Sequence, residues 1–237
     1  MKTERAIRLS LCAIFLVPAV ALAEAGRVLL AVGEVFAERA GQRVALVRGA
    51  AVEQDDTIRT GPASNAQIRL SDGAILSMSE RTQLRIDEHM FSGRIDGTEK
   101  SFITLLAGGL RTVTGAIGNL RRDDKYGVRT ATASIGIRGT HYTLRECNDL
   151  SPCVAAGARA ALEVAQAPGE ASDAPSLLAQ APGAQFAPPG TYGGVSDGRI
   201  GVKNEAGESE FGARQFFLRC RPLHPAAGVG CAAAVSL

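Results

Sequence analysis

Tryptophan is absent from this 237-residue chain, and aromatic residues make up only 5% of it. A broad stacking platform for sugars or single-stranded nucleic acid needs more ring surface than that. Histidine is almost as scarce. His89, His141 and His224 stand alone, with no His-x-His or His-x-x-x-His pair to begin a metal site. No Gly-x-x-x-x-Gly-Lys-Ser/Thr loop occurs, and Gly108-Gly109 has neither the helix nor the lysine that a phosphate loop uses. No serine sits in a recognisable Ser/Lys pattern. The chain also lacks an excess of either charge. Lys and Arg number 26 against 24 Asp and Glu, a net charge of +2. Without residues 1–23 it loses Lys2, Arg5, Arg8 and Glu4, leaving 23 of each sign. A balanced chain has no general attraction to nucleic acid or acidic membranes. The one basic pair, Arg121-Arg122, is followed directly by Asp123-Asp124.

What the chain does have begins with an export signal. Lys2, Arg5 and Arg8 precede Leu9 to Leu22, a run that is apolar apart from Ser10, and Ala21-Leu22-Ala23 meets the small-residue cleavage rule. The run is short of the ~20 residues that span a bilayer. We expect cleavage before Glu24, a periplasmic or secreted product, and no membrane insertion afterwards. An uncleaved anchor is the competing expectation.

Cleavage removes Cys12 and leaves Cys147, Cys153, Cys220 and Cys231, an even number suited to an oxidising compartment. Four cysteines allow three connectivities. Cys147–Cys153 with Cys220–Cys231 is favoured because each closes a short local loop, worth about 2–3 kcal/mol in the chain-entropy model. A four-cysteine zinc site is the alternative, but the gaps lack the short knuckle of structural zinc sites.

The body reads as strands and turns. In Gln67 to Met78, Ile68 and Leu70 share one face and Leu76 and Met78 share the face after Asp72-Gly73, a pair that suits a two-residue hairpin. Asp197-Gly198 repeats the pair before Ile200 and Val202. Ala131, Ala133, Ile135 and Ile137 hold one parity, whereas Tyr142 and Leu144 hold the other. A one-residue bulge near Gly139 would keep both sets inward. Residues 154–190 differ in composition, with 13 Ala, 5 Pro and 4 Gly among 37 residues, and read as a low-complexity linker or insertion. The expected organisation is therefore a signal peptide at 1–23, a β domain at 24–153, the insertion at 154–190, closing strands of the same domain at 191–221, and a tail at 222–237.

Four strings, taken together, carry a family resemblance. They are Gly33-Glu34-Val35 leading to Asp56-Thr57-Ile58-Arg59-Thr60-Gly61; Ile68 to Gly73 running on to Met78; Thr130 to Thr140, which contains Arg138-Gly139-Thr140; and Tyr192 through Asp197-Gly198 to Gly207. The chain resembles the FecR-domain family over Gly33 to about Leu144, with a later continuation to about Gln215. The resemblance implies an all-β fold, a jelly-roll-type β-sandwich. It also implies a periplasmic module of the kind that relays occupancy of an outer-membrane TonB-dependent receptor to a cytoplasmic sigma factor. This chain departs from such regulators because only eight residues precede its apolar run, too few for a folded anti-sigma region. Asp56, Thr57, Arg59, Thr60, Asp72, Gly73, Arg138, Gly139 and Thr140 are expected to serve architecture, with Arg138 in an internal ion pair. The expected function is a non-enzymatic binding or signalling module that recognises a protein partner in the envelope, without cofactor, metal or catalytic residues. A structural envelope protein is the alternative, and a jelly-roll metal enzyme a distant one.

Overall fold

The computed structural model describes residues 24–120, 122, 124–149, 189–205, 207–220 and 232–236. Residues 1–23, Cys153, Cys231, His224 and nearly all of the Ala/Pro-rich segment lie outside the described residues. Period-two alternation gives strands throughout. They are β1 (Glu24–Val32), β2 (Val35–Arg39), β3 (Gln42–Ala45), β4 (Ala51–Glu53), β5 (Thr57–Thr60), β6 (Asn65–Leu70), β7 (Ile75–Met78) and β8 (Gln83–Met90). After them come β9 (Lys100–Val113), β10 (Tyr126–Arg129), β11 (Ser134–Cys147), β12 (Gly190–Asn204), β13 (Gly207–Gly212), β14 (Gln215–Cys220) and β15 (Ala232–Ser236). Among the described residues the one helical element is a 3-10 turn, Gly118–Leu120. The all-β class expected from the sequence is the class observed.

All fifteen strands join in one hydrogen-bonded sheet. Three long strands bend and continue from one layer of it into the other. The first layer runs β3-β2-β5-β8-β9-β10-β11-β12-β13, using residues 100–107 of β9, 134–138 of β11 and 199–204 of β12. The second runs β4-β1-β6-β7-β9-β11-β12-β14-β15, using residues 108–113, 141–147 and 190–197 of the same three strands. β10 closes the ring. It lies parallel to β9 at Ser101–Thr104 and antiparallel to β11 at Ser134–Gly136, two stretches that the direct β9–β11 ladder leaves at opposite ends. The β9, β10 and β11 segments thus close a barrel. The jelly-roll expectation named a sandwich; the observed connection between layers is made by shared, bent strands.

Each crossing strand bends at a glycine with positive φ: Gly108 (+84°) in β9, Gly139 (+66°) in β11 and Gly198 (+84°) in β12. Side chains other than glycine rarely adopt that region. The register of β11 on β12 slips by one between Arg138 and His141 and slips back between His141 and Tyr142. The two bulges compensate, so Ile135, Ile137, Tyr142 and Leu144 all face the core despite their change of parity. Ala131, expected with them, is exposed, because the Thr130–Ala133 turn carries it outside the strand.

The two Asp-Gly pairs behave differently. Asp72-Gly73 does turn a hairpin, but Leu70 bonds to Ala74, so the loop is the three residues Ser71-Asp72-Gly73, with Gly73 at φ +89°. Asp197-Gly198 turns nothing. It lies in the bulged middle of β12, because β11 offers a continuous partner on both sides of it.

One apolar cluster fills the space between the layers. It contains Ile58, Leu84, Ile103, Ile135 and Ile200 from the first layer and Val28, Ile68, Leu76, Leu110 and Leu144 from the second. Burying each such side chain contributes ~1.5–3 kcal/mol. Val195, Val202, Phe211 and Phe217, which follow the Ala/Pro-rich segment, belong to the same cluster.

Candidate functional site

The family strings form polar clamps. Asp56, fully buried, holds Arg39 in a two-pronged pair, Nε to Oδ1 at 2.8 Å and Nη2 to Oδ2 at 2.7 Å, and also accepts the Glu53 amide at 2.8 Å. Arg39 reaches on to the Glu53 carboxylate at 2.6 Å and the Ala51 carbonyl at 3.2 Å. The carboxylates raise the Arg39 pKa above its ordinary value, with the Asp56 hydrogen bonds the largest cause. Four residues after Asp56, Thr60 donates to the Ser79 carbonyl at 2.6 Å and accepts the Thr82 amide at 2.9 Å. Between them Arg59 pairs with Glu38 across the strands at 2.9 Å, and Thr57 lies opposite Arg85 of β8. Asp72 accepts the Ala74 amide at 3.1 Å and the Ile117 amide at 3.3 Å, tying the hairpin tip to the segment after β9. Arg138 is half-exposed and 3.8 Å from Glu210, and Arg199 approaches the same carboxylate at 3.4 Å. Gly139 and Thr140 occupy the β11 bulge.

Cys147 and Cys220 both end strands against Gly190, one on each side of it. Two strand spacings put their Cα atoms ~9.5 Å apart, beyond the ~7 Å that a disulfide spans. The geometry therefore excludes a Cys147–Cys220 bridge and leaves two of the three connectivities.

Three features escaped the sequence reading. Gly194-Val195-Ser196-Asp197-Gly198 has the Gly-x-Ser-x-Gly spacing. A nucleophile elbow is a strand-to-helix turn, whereas here the five residues run along β12. Thr191 donates to the buried Glu146 carboxylate at 2.6 Å and meets the hydroxyls of Thr130 and Thr132 at 2.6 and 2.5 Å. His89, an isolated histidine in sequence, is only 4% exposed; its Nε2 is 2.7 Å from Ser71 Oγ and its Nδ1 3.1 Å from Ser101 Oγ. Among the described residues no group of three or more His, Cys, Asp and Glu is placed to hold a metal ion.

Burial lowers the His89 pKa from 6.5, against a smaller opposing pull from Asp72. A depressed histidine stabilises the fold fully above pH ~6.5, and that stability is lost as pH falls towards the folded-state pKa. The melting temperature should therefore fall between pH 7 and 5 more steeply in the wild type than in His89→Gln. Parallel pH profiles for the two proteins would refute the assignment.

The edge of the second layer is open along part of β1 among the described residues. β4 pairs with β1 only as far as Arg27, and the Gly49-Ala50 turn caps Val28. Beyond that point β1 pairs with β6 on one side, and no strand among the described residues pairs it on the other. Leu30 and Val32 on this stretch are each 48% exposed, and Val47, in the turn beside it, is 65% exposed.

Residues 56–158 match the family model of the FecR protein. The match starts at the clamp residue Asp56 and takes in β5 to β11, including the closed ring of strands. No curated protein matches the chain. Two solved structures, both described as a candidate anti-sigma factor from Parabacteroides distasonis ATCC 8503, are similar at 11% identity with TM-scores of 0.44 and 0.45. Each comparison covers 76% of this chain and 59% of the other, so the chain spans less than two thirds of those chains. The FecR match supports a signalling or regulatory role.

Proposed function

We propose that this chain is an extracytoplasmic, non-enzymatic module of FecR type that binds a protein partner in the cell envelope. The observation that carries the reading is the open stretch of β1. An edge that no described strand covers, with half-exposed Leu30 and Val32, is an aggregation hazard unless another strand completes it, and strand addition is a common mode of peptide recognition. The positive leader, the apolar run and the Ala21-Leu22-Ala23 site support export. Of the two connectivities still open, Cys147–Cys153 with Cys220–Cys231 is favoured over Cys147–Cys231 with Cys153–Cys220, since both of its loops are local. Two β layers enclosing one core fit a jelly-roll-type sandwich.

The test uses the full chain expressed in a bacterial host and recovered from its periplasm, where the intact mass should begin at Glu24. Crosslinking to envelope proteins should yield one defined adduct, and Leu30→Asp/Val32→Asp should remove it without lowering the melting temperature. An adduct equally strong in the variant would sink the β1 edge. Retention on isolated cell wall with no adduct would favour the structural envelope reading.

A further inference from the structure

Three glycines line up across the outer face of the first layer. Gly127 of β10 lies opposite Gly136 of β11, which lies opposite Gly201 of β12. Phe102 of β9 extends the row at one end and Glu210 of β13 at the other. Their strand neighbours Val128, Ile135 and Val202 are buried in the core, so the glycine row points outward. The row leaves a trough of about 250 Å³, lined by Phe102, Gly127, Gly201 and Lys203 among others. A second hollow of about 440 Å³ adjoins it two residues along the strands, lined by Arg138, Gly198, Arg199 and Glu210.

Gly201 is the informative member. Its φ is ordinary, and a Cβ there would meet only Glu208 Oε1, at 3.8 Å. Gly127 by contrast is crowded, with Ile135 O at 3.2 Å and the Phe102 ring at 3.3 Å from a Cβ. Neither backbone conformation nor packing asks for a glycine at 201. A glycine within a strand weakens it, and often marks close approach by another molecule.

The walls are cationic. Arg129 and Lys203 stand exposed two residues to one side of the glycine row, and Arg138 and Arg199 two residues to the other. Glu210 serves Arg138 and Arg199 together. Arg129 sits with its guanidinium carbon 5.9 Å from the Phe102 ring centroid. Glu208 and Glu210 lie at one end of the row, and Glu88 of β8 lies beyond Phe102 at the other, where Lys100 approaches it at 3.6 Å; the three glycines between put no carboxylate among the four cations. Guanidinium forks take carboxylates in two-pronged pairs. The wall rows stand ~13 Å apart at the backbone and their long side chains narrow the gap, which leaves too little room for an α-helix ~10 Å across. One partly buried phenylalanine is a poor stacking surface for a sugar chain.

We propose that this trough binds an acidic, extended segment of a protein partner. The segment crosses β10, β11 and β12 with its backbone over the glycines and its carboxylates on Arg129, Lys203 and Arg199. The proposal deepens the protein-binding reading and rests on it, but uses a surface separate from the β1 edge.

The test is fluorescence anisotropy of a labelled (Glu-Ala)4 peptide against the mature protein. Saturable binding should weaken at least ~10-fold between 50 mM and 500 mM salt, as exposed charge pairs are screened. Gly201→Leu fills the trough and should weaken binding at least ~10-fold while leaving the melting temperature unchanged or higher. Arg129→Ala/Lys203→Ala should weaken it similarly. No saturable binding, or wild-type affinity in Gly201→Leu, overturns the proposal. So does a heparin fragment or inorganic phosphate that binds more tightly than the peptide and is equally sensitive to Gly201→Leu. If peptide binding fails while the β1-dependent adduct persists, only the trough falls. If the peptide binds and no envelope adduct forms, the trough stands and the edge reading falls.

Discussion

Asp56→Ala should destabilise the protein by about 3 kcal/mol, the lower end for breaking a buried ion pair. The carboxylate is fully buried and takes three hydrogen bonds, two from Arg39 and one from the Glu53 amide. Removing it strips the Arg39 guanidinium of its two-pronged partner while Glu53 still holds one side at 2.6 Å. The residual pair, and the 22% exposure of the Arg39 side chain, keep the loss from the top of the range. For a protein of this size the change lowers the melting temperature by ~6–12 °C. Asp56→Asn keeps the shape and should lose less. In Arg39→Met/Asp56→Ala the unpaired charge is gone as well, so the double variant should be less destabilised than the two single losses added together. Strict additivity, or a loss below ~1 kcal/mol for Asp56→Ala, would mean that the clamp contributes little.

Gly108→Ala should cost about 2–5 kcal/mol in urea unfolding, from left-handed strain of ~1–2 kcal/mol plus overpacking of ~1–3 kcal/mol. Gly108 sits at φ +84° where β9 leaves the first layer for the second. A Cβ there would lie 2.5 Å from Thr82 Cα and 2.7 Å from Arg81 O. Both are backbone atoms and cannot swing away. Thr82 is also held in place, since its hydroxyl accepts the Gly109 amide at 3.0 Å. Gly41 supplies the control. Its φ is +77° with nothing within 4 Å of a Cβ, so Gly41→Ala should show the strain alone, ~1 kcal/mol. Equal losses at the two positions would show that the crossing of β9 does not depend on close packing at Gly108.

Much of this was legible in the chain, and the residues show why. Ile68, Leu70, Leu76 and Met78 announce a hairpin because strand period and turn chemistry are local. The change of parity between Ile137 and Tyr142 announces a bulge for the same reason, and Gly139 is where it falls. Asp197-Gly198 misleads, because an Asp-Gly pair permits a turn but does not require one. In β12 the neighbouring strand β11 is available on both sides of the pair, and the ladder runs on through a bulge.

The clamps were legible only as residue types. Asp56, Arg59 and Thr60 stood out as a string, yet nothing local says that Asp56 meets Arg39, 17 positions away, or that Thr60 meets Ser79 and Thr82. His89 and Glu146 look unremarkable in sequence, and both are buried among hydroxyls contributed by distant strands.

The sequence by itself determined the all-β class, the family strings and the bulge at Gly139, since these depend on composition, period-two alternation and the φ freedom of a single glycine. Only the tertiary structure decided which strands neighbour one another, and so what the glycines and charges do together. Gly127, Gly136 and Gly201 form one trough because β10, β11 and β12 pair in one register. A shift of a single residue would turn that row to the other face of the sheet. Register between segments far apart in the chain is set by packing both layers around one core, and no local pattern carries it.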